Sequence, residues 1–234
     1  MGVLSVVIAT RNESARLPTL LAQLAQQPAL VREVLVVDGG STDATALVAR
    51  LGGARLLRCP PGRGRQLALG AAEASAAWLL LLHGDVRLPR QWGSHIARAM
   101  AARNREPTAA PDRAWYFDLA IDGPNPSLRL VELGTALRSR WLQRPYGDQG
   151  LLLSRCLYDA VGGMRPLPLM EDLELVQRLS RRGRLRSLGA ALLVDGRRWR
   201  RLGVWRTTLA NAGLRRAWRR GEAPELLEQR YYQR

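Results

Sequence analysis

Four clusters of acidic, hydroxyl and imidazole side chains stand beside apolar runs in this 234-residue chain. Thr10-Arg11-Asn12-Glu13 follows the run Leu4 to Ala9, and Asp38-Gly39-Gly40-Ser41-Thr42-Asp43 follows Val34 to Val37. His83-Gly84-Asp85 follows Trp78 to Leu82, and Met170-Glu171-Asp172 opens an amphipathic stretch. A carboxylate at the end of a buried strand is costly to desolvate unless it is paired, hydrogen-bonded or metal-bound. One such residue is often only a helix cap, and Ser41 and Asp43 read that way. Several aimed at one crevice make a site, and Asp38, which precedes two glycines, is the hardest to read as a cap. Such a set can bind base N–H groups and hydroxyls, hold a hard cation through oxygen, and take a proton. Gly62-Arg63-Gly64-Arg65 adds two guanidinium groups in a Gly-rich loop opening a helix, suited to a diphosphate or a base.

The elements that must position these groups alternate in type. Leu4 to Ala9, Val34 to Val37 and Trp78 to Leu82 are continuous apolar runs, as expected of strands buried on both faces, and Ala54 to Leu57 is a weaker strand between them. Leu17, Leu20, Leu21 and Leu24 fall on one helical face, with Pro18 tolerated in the first turn. A second helix is expected from Ser41-Thr42-Asp43 to about Leu51, and a third over Arg65 to Ser75. Strands joined by such crossovers predict a parallel sheet with right-handed connections, which binds ligands at the carboxyl ends of its strands. Further on, helices are expected over Trp92 to Arg103, Pro126 to Trp141, Glu171 to Arg182 and 203–219. Strands are expected over Trp115 to Ile121, Leu151 to Leu153 and Leu192 to Val194, with a Pro-containing loop over Arg105 to Arg113. The expected organisation is one α/β domain over 1–200, divided into 1–90 and 91–200, with a basic helical extension over 201–234.

Composition narrows the chemistry. Hydrophobic residues at 47% and charged residues at 24% fit a globular domain and argue against disorder. All 36 basic residues are Arg, so no mechanism can use a Lys Schiff base or a P-loop Lys. Two cysteines cannot build a disulfide framework or a four-Cys zinc site, and two histidines leave little room for a His-rich metal site. His95 reads as structural. No apolar run suits a signal peptide or a membrane span, so a cytoplasmic protein is expected. Of the net charge of +16, most falls late: residues 178–234 hold sixteen Arg and four acids. Trp205, Leu209, Leu214 and Trp218 alternate there with Arg206, Arg215, Arg216, Arg219 and Arg220. That mixture suits a peripheral contact with anionic lipid on the cytoplasmic face, a helix packed on the domain, or a contact between copies.

Ala9-Thr10-Arg11-Asn12-Glu13, Val36-Val37-Asp38-Gly39-Gly40-Ser41-Thr42-Asp43, the His-Gly-Asp triplet and the Glu171-Asp172 pair together resemble the family 2 glycosyltransferases. Pro145-Tyr146-Gly147-Asp148-Gln149-Gly150, Pro168-Leu169-Met170-Glu171-Asp172 and Arg197-Arg198-Trp199 are similar to the small radical-SAM- and selenodomain-associated group within it. The resemblance implies a glycosyltransferase-A fold with a Rossmann-like, mostly parallel sheet. It implies an inverting transfer of a sugar from a nucleotide-sugar donor, with a UDP-sugar favoured, to a small or lipid-linked acceptor. It places Thr10, Arg11, Glu13, Asp38, Gly39, Arg63, Arg65, His83 and Gly84 around the nucleotide. Asp85 becomes the ligand for Mg2+ or Mn2+, and Asp172 the base, with Glu171 beside it. Asp148, Gln149, Arg198 and Trp199 line the donor-sugar or acceptor pocket, Arg198 clamping the diphosphate and Trp199 walling the acceptor side. Two positions depart from the family: His83 stands where an Asp is usual, and Asp195 where processive members carry Gln.

Three other classes compete. A sugar-phosphate nucleotidyltransferase wants an Arg- and Lys-bearing Gly-rich loop after the first strand, where this chain has Thr10-Arg11-Asn12-Glu13. A nucleic-acid-binding protein would use the positive charge, but that charge sits in a tail without a recognition signature. A degenerate member would bind nucleotide-sugar without turnover. Oligomeric state is open on sequence.

Overall fold

The computed structural model describes residues 2–105 and 112–232, so residues 106–111 of the expected Arg105 to Arg113 loop lie outside the described residues. The chain runs β1 (Leu4–Thr10), α1 (Leu17–Ala25), β2 (Val31–Asp38), α2 (Thr45–Leu51), β3 (Arg55–Arg58), α3 (Arg63–Glu73), β4 (Trp78–His83), β5 (Val86–Arg87) and α4 (Trp92–Asn104). It continues through β6 (Trp115–Ile121), α5 (Ser127–Trp141), a 3-10 turn (Gly147–Gln149), β7 (Leu151–Ser154), α6 (Arg155–Ala160), α7 (Glu171–Arg182), β8 (Arg186–Val194), α8 (Arg197–Leu202), α9 (Val204–Arg219) and α10 (Pro224–Tyr232).

The strands form one sheet in the order β3-β2-β1-β4-β7-β6-β8-β5. β3, β2, β1 and β4 are parallel, as their helical crossovers require. β7 runs antiparallel to β4 and to β6, β6 and β8 are parallel, and β5 pairs antiparallel with β8 at the far edge. The pleat of β1 splits its apolar residues between two layers. Leu4, Val6 and Ile8 meet the leucines of α1 and Trp92 and Ile96 of α4, whereas Val7 and Ala9 meet Leu67 and Ala71 of α3 on the other side. Helices thus cover both faces of a mostly parallel sheet, the doubly wound α/β layering that the sequence resemblance implies.

Three expectations are corrected. Ser41 does not cap α2: its Oγ donates to Asp38 and accepts from the Asn12 N–H, while Asp43 accepts from the Thr45 N–H at the start of that helix. The last strand is nine residues rather than three, because Gly189, with φ +72°, and polar Arg186 and Ser187 interrupt its hydrophobic pattern without ending its pairing to β6. α3 starts at Arg63 rather than at Arg65, so both arginines lie in its first turn.

Gly196 fixes where α8 leaves the sheet. A Cβ at this position would lie 1.9 Å from the Asp122 carbonyl oxygen, a backbone atom that cannot swing away. Gly196→Ala is expected to cost about 1–3 kcal/mol, read as a melting temperature lower by roughly 2–4 °C per kcal/mol at this chain length.

Candidate active site

Parallel pairing sets the carboxyl ends of β1, β2 and β4 side by side: Thr10 is opposite Asp38, and Ala9 is opposite His83. Gln66 of α3 ties two of these ends, its Nε2 donating to the Thr10 and Val37 carbonyls at 2.8 Å each. Beyond them opens a cavity of about 530 Å³, lined by Thr10, Arg11, Glu13, Arg63, His83, Gly84, Asp85, Asp148, Glu171, Asp172, Arg197, Arg198 and Trp199, and by Asn211, Leu214 and Arg215 of α9 and Tyr231 of α10. The turn after β4 leaves no space at Gly84, where a Cβ would sit 2.7 Å from the Thr10 methyl.

Glu171 and Asp172 open α7, after Met170 in a left-handed conformation (φ 65°) that turns the chain into the helix. That is an uncommon backbone for a non-glycine residue and marks a constrained turn. The Asp172 carboxylate accepts from the N–H of Leu173 at its Oδ1 and from the N–H of Gly147 at its Oδ2, both at 2.7 Å. The helix N-terminus therefore holds a carboxylate at the cavity wall. Glu171 is 2% exposed, and burial, reinforced by the neighbouring Asp172 charge, pushes its carboxyl up to about 8. Burial likewise raises Asp148, against the pull of Arg138 and Arg63.

His83 is held neutral. Burial, with Arg63 nearby, pushes its imidazole down to about 3. Its buried Nε2 has no hydrogen-bond partner among the described residues. Gly147 must stay small here, since a Cβ would stand 3.0 Å from the His83 ring and 3.3 Å from the Asp172 carboxylate.

Glu13 lines the cavity and is paired there. Both its oxygens accept from Arg197 of α8, one at 3.1 Å, and Arg16 lies 3.5 Å away. Glu13 thereby anchors Arg197, whose guanidinium is also 3.6 Å from Asp85. Asp195 braces the same corner by accepting from Arg16, Arg200 and the Arg197 N–H. Arg63 and Arg198 converge on Tyr231: the Arg63 guanidinium donates to its hydroxyl, and Arg198 stacks on its ring at 3.7 Å.

Four expected residues do not reach the cavity wall. Gln149 is fully buried, accepting from Ser139 and the Tyr146 N–H and donating to the Phe117 carbonyl, so it closes its own 3-10 turn. Arg65 lies two positions along α3 from Arg63, which turns it to the exposed side. Asp38 is buried behind the wall with its Oδ1 committed to Ser41, and Gly39 lies under the Gln66 side chain. Trp199 lines the cavity while packing on the core, its Nε1 buried without a partner among the described residues.

Sequence reasoning assigns no cavity role to Arg197, Tyr231, Arg215 or Asn211. Arg197 stands in the Arg197-Arg198-Trp199 motif, but its partner Glu13 lies 184 positions away, and Tyr231 lies in a short helix without a motif.

No three His, Cys, Asp or Glu among the described residues cluster to hold a metal ion alone. Asp85, a hard oxygen donor with its side chain one-quarter exposed to the cavity, fits a cation shared with a phosphorylated ligand.

Residues 5–113 match the family model described as Glycosyl transferase family 2. The 4,4'-diaponeurosporenoate glycosyltransferase of Staphylococcus haemolyticus is 37% identical over 93 residues, 36% of this chain and 24% of that protein. The match thus spans about a quarter of that curated relative's length. Among solved structures, S. aureus TarS is similar with a TM-score of 0.62 at 18% identity, covering 83% of this chain and 37% of that one. Glucosyl-3-phosphoglycerate synthase from Mycobacterium tuberculosis, in complex with Mn2+, uridine diphosphate and phosphoglyceric acid, is similar with a TM-score of 0.55 at 20% identity, covering 81% of this chain and 69% of that one. These structural likenesses concern the fold.

Proposed function

We propose that this chain, whose residues 5–113 match the model of glycosyltransferase family 2, is a member of that family and moves a sugar from a nucleotide-activated donor to an acceptor hydroxyl with inversion at the anomeric carbon. The observation that carries this reading is the meeting, in one cavity, of the β1 and β4 carboxyl ends with a carboxylate pair at the start of α7. The related folds solved with UDP and with UDP-glucose favour a uridine diphosphate donor.

In this reading the acceptor hydroxyl gives its proton to the Asp172 carboxylate as its oxygen bonds to the anomeric carbon. The bond from that carbon to the diphosphate breaks, and the nucleoside diphosphate leaves with the electron pair. Arg63, Arg197 and Arg198 stabilise the charge that develops on the leaving diphosphate. Asp85 would hold Mg2+ or Mn2+, which would supply further positive charge beside the leaving diphosphate. Glu171, protonated at neutral pH, donates a hydrogen bond to a sugar hydroxyl instead of repelling the diphosphate. Thr10, Arg11, His83 and Gly84 face the nucleotide, with Asp38 and Gly39 supporting them from behind. Asp148 and Trp199 bound the donor-sugar and acceptor side. Residues 1–90 then form the nucleotide half and 91–200 the acceptor half of a catalytic domain on the cytoplasmic side, and the basic extension gives it a peripheral membrane contact.

Thermal unfolding against UDP-, GDP-, CMP- and TDP-sugars, each with and without Mn2+ or Mg2+, tests the reading. A donor at a hundred times its dissociation constant adds about 2.7 kcal/mol, which is roughly 5–11 °C at this size. The expected result is stabilisation by one nucleotide class, larger with metal, with the metal-dependent part lost in Asp85→Ala. No stabilisation by any donor, with or without metal, would sink it.

A further inference from the structure

α5 carries two apolar faces. Leu128, Thr135 and Ser139 point inward and are buried. Leu130, Leu133, Leu137 and Trp141 recur at three- and four-residue intervals on the opposite side and are exposed, Trp141 by 80%. On a helix at the surface of a globular domain that outer side is ordinarily polar. Leu142 extends the stripe beyond the helix end. α9, which packs against α5, repeats the arrangement: Val204, Thr207 and Leu214 face inward, and Trp205 and Leu209 are exposed on its far side, Leu209 by 69%.

Arginine outnumbers acid around this surface, the nearby acids being Glu132 of α5 and Glu222, Glu225 and Glu228 after α9. α8 and α9 each carry four arginines and no acid, and Arg206, Arg216, Arg219 and Arg220 are exposed. A two-fold-related copy seated on the face would set these arginines against themselves, which disfavours self-association. An anionic bilayer surface matches both features at once: Leu and Trp side chains enter the headgroup boundary while guanidinium groups pair with lipid phosphates. No helix among the described residues is long and apolar enough to cross a membrane, so this contact is peripheral.

We propose that the outer faces of α5 and α9 together dock the protein on an anionic phospholipid surface. The sequence pointed only to the C-terminal stretch; the wider apolar stripe belongs to α5. The surface stands on its own geometry. A further consequence rests on the glycosyl-transfer reading: Asn211, Leu214 and Arg215, on the inward side of α9, line the cavity, so docking holds the cavity one helix diameter, roughly 10 Å, from the headgroup layer. The acceptor is then an amphiphile whose hydroxyl reaches about that far from the layer.

The test is co-sedimentation of the full chain with phosphatidylcholine vesicles, and with vesicles in which a third of the lipid is phosphatidylglycerol. Binding is expected only to the anionic vesicles and should weaken with added salt. Leu133→Glu/Leu137→Glu should lower the bound fraction about tenfold without changing the melting temperature, since both side chains are more than half exposed. Trp205→Ala/Leu209→Glu on α9 should act in the same direction. Donor-induced stabilisation should be unchanged in both variants. Wild-type protein that ignores anionic vesicles at low salt, or variants that bind as wild type does, would overturn the proposal. So would a wild-type dimer that Leu133→Glu/Leu137→Glu splits. Loss of every donor effect with vesicle binding intact would instead remove the transfer reading and leave the docking surface.

Discussion

Asp172→Asn is expected to lower turnover by about 10²–10⁴-fold while leaving donor-induced thermal stabilisation nearly unchanged. The carboxylate is fixed by two backbone N–H groups, from Gly147 and Leu173, so it stays at the cavity wall without rearrangement. Asn preserves the shape and one accepting oxygen. It removes the site that takes the acceptor's proton, and its amide NH2 faces a backbone N–H where a carboxylate oxygen was. The first effect acts on kcat, and the second displaces the Gly147 turn slightly. Measuring kcat and KM separately distinguishes them, because a general base acts in the transition state and a misplaced turn also weakens binding. Turnover within about threefold of wild type would remove Asp172 from the role of base.

Glu171→Gln is expected to stabilise the unliganded protein at pH 8 by about 3–5 kcal/mol, read as roughly 6–20 °C in melting temperature. In the unfolded chain this carboxyl releases its proton near the ordinary value of 4.5, whereas in the folded chain it holds it to about 8. Across that window the folded state binds a proton that the unfolded state has lost. Stability therefore falls as pH rises, and the loss is complete above about 8. His83 acts in the other direction: its imidazole, held down at about 3, lowers stability as pH drops below 6.5. The two windows overlap between 4.5 and 6.5, so the Glu171 effect reads most cleanly from pH 6.5 upward. Gln mimics the protonated acid and should flatten that limb. A wild-type melting temperature that is level from pH 6.5 to 9 would show Glu171 ionised at little cost.

The N-terminal strands and α7 were legible because their signals are local. Continuous apolar runs can be buried only on both faces, and a carboxylate pair ahead of the Leu173, Leu175, Val176 and Leu179 pattern marks a helix start. β8 extends beyond the Leu192 to Val194 pattern because a glycine and two polar residues break that pattern while the pairing to β6 continues. α8, six residues long, carries too short a pattern to be legible, and α10 is legible only as part of the helical extension over 201–234.

The cavity was legible as a set of strand-end residues but not as an arrangement. Choosing between Arg63 and Arg65 requires the rotation of α3 about its axis, which packing of Gly64 against the backbone of Arg165 and Leu167 determines. The roles of Glu13 and Gln149 turned on partners that only tertiary structure supplies: Arg197 for the first, Ser139 and Phe117 for the second. α5 shows the same limit. Its leucines were legible as helical, but which of them face outward depends on where the sheet lies.

Strand order has a consequence for inheritance. The first ninety residues supply β3, β2, β1 and β4 at one side of the sheet and β5 at its opposite edge, while β7, β6 and β8 from the later part stand between them. Neither stretch closes a sheet alone: β4 needs Leu151–Leu153 along its edge, and Val86 and Arg87 need Val194 and Leu193. A gene crossover near residue 90 would therefore have to bring matching partners on both sides of the inserted strands. The two parts of this fold are bound to diverge together, and a new acceptor preference is more readily reached by changing the helices around the cavity than by exchanging halves.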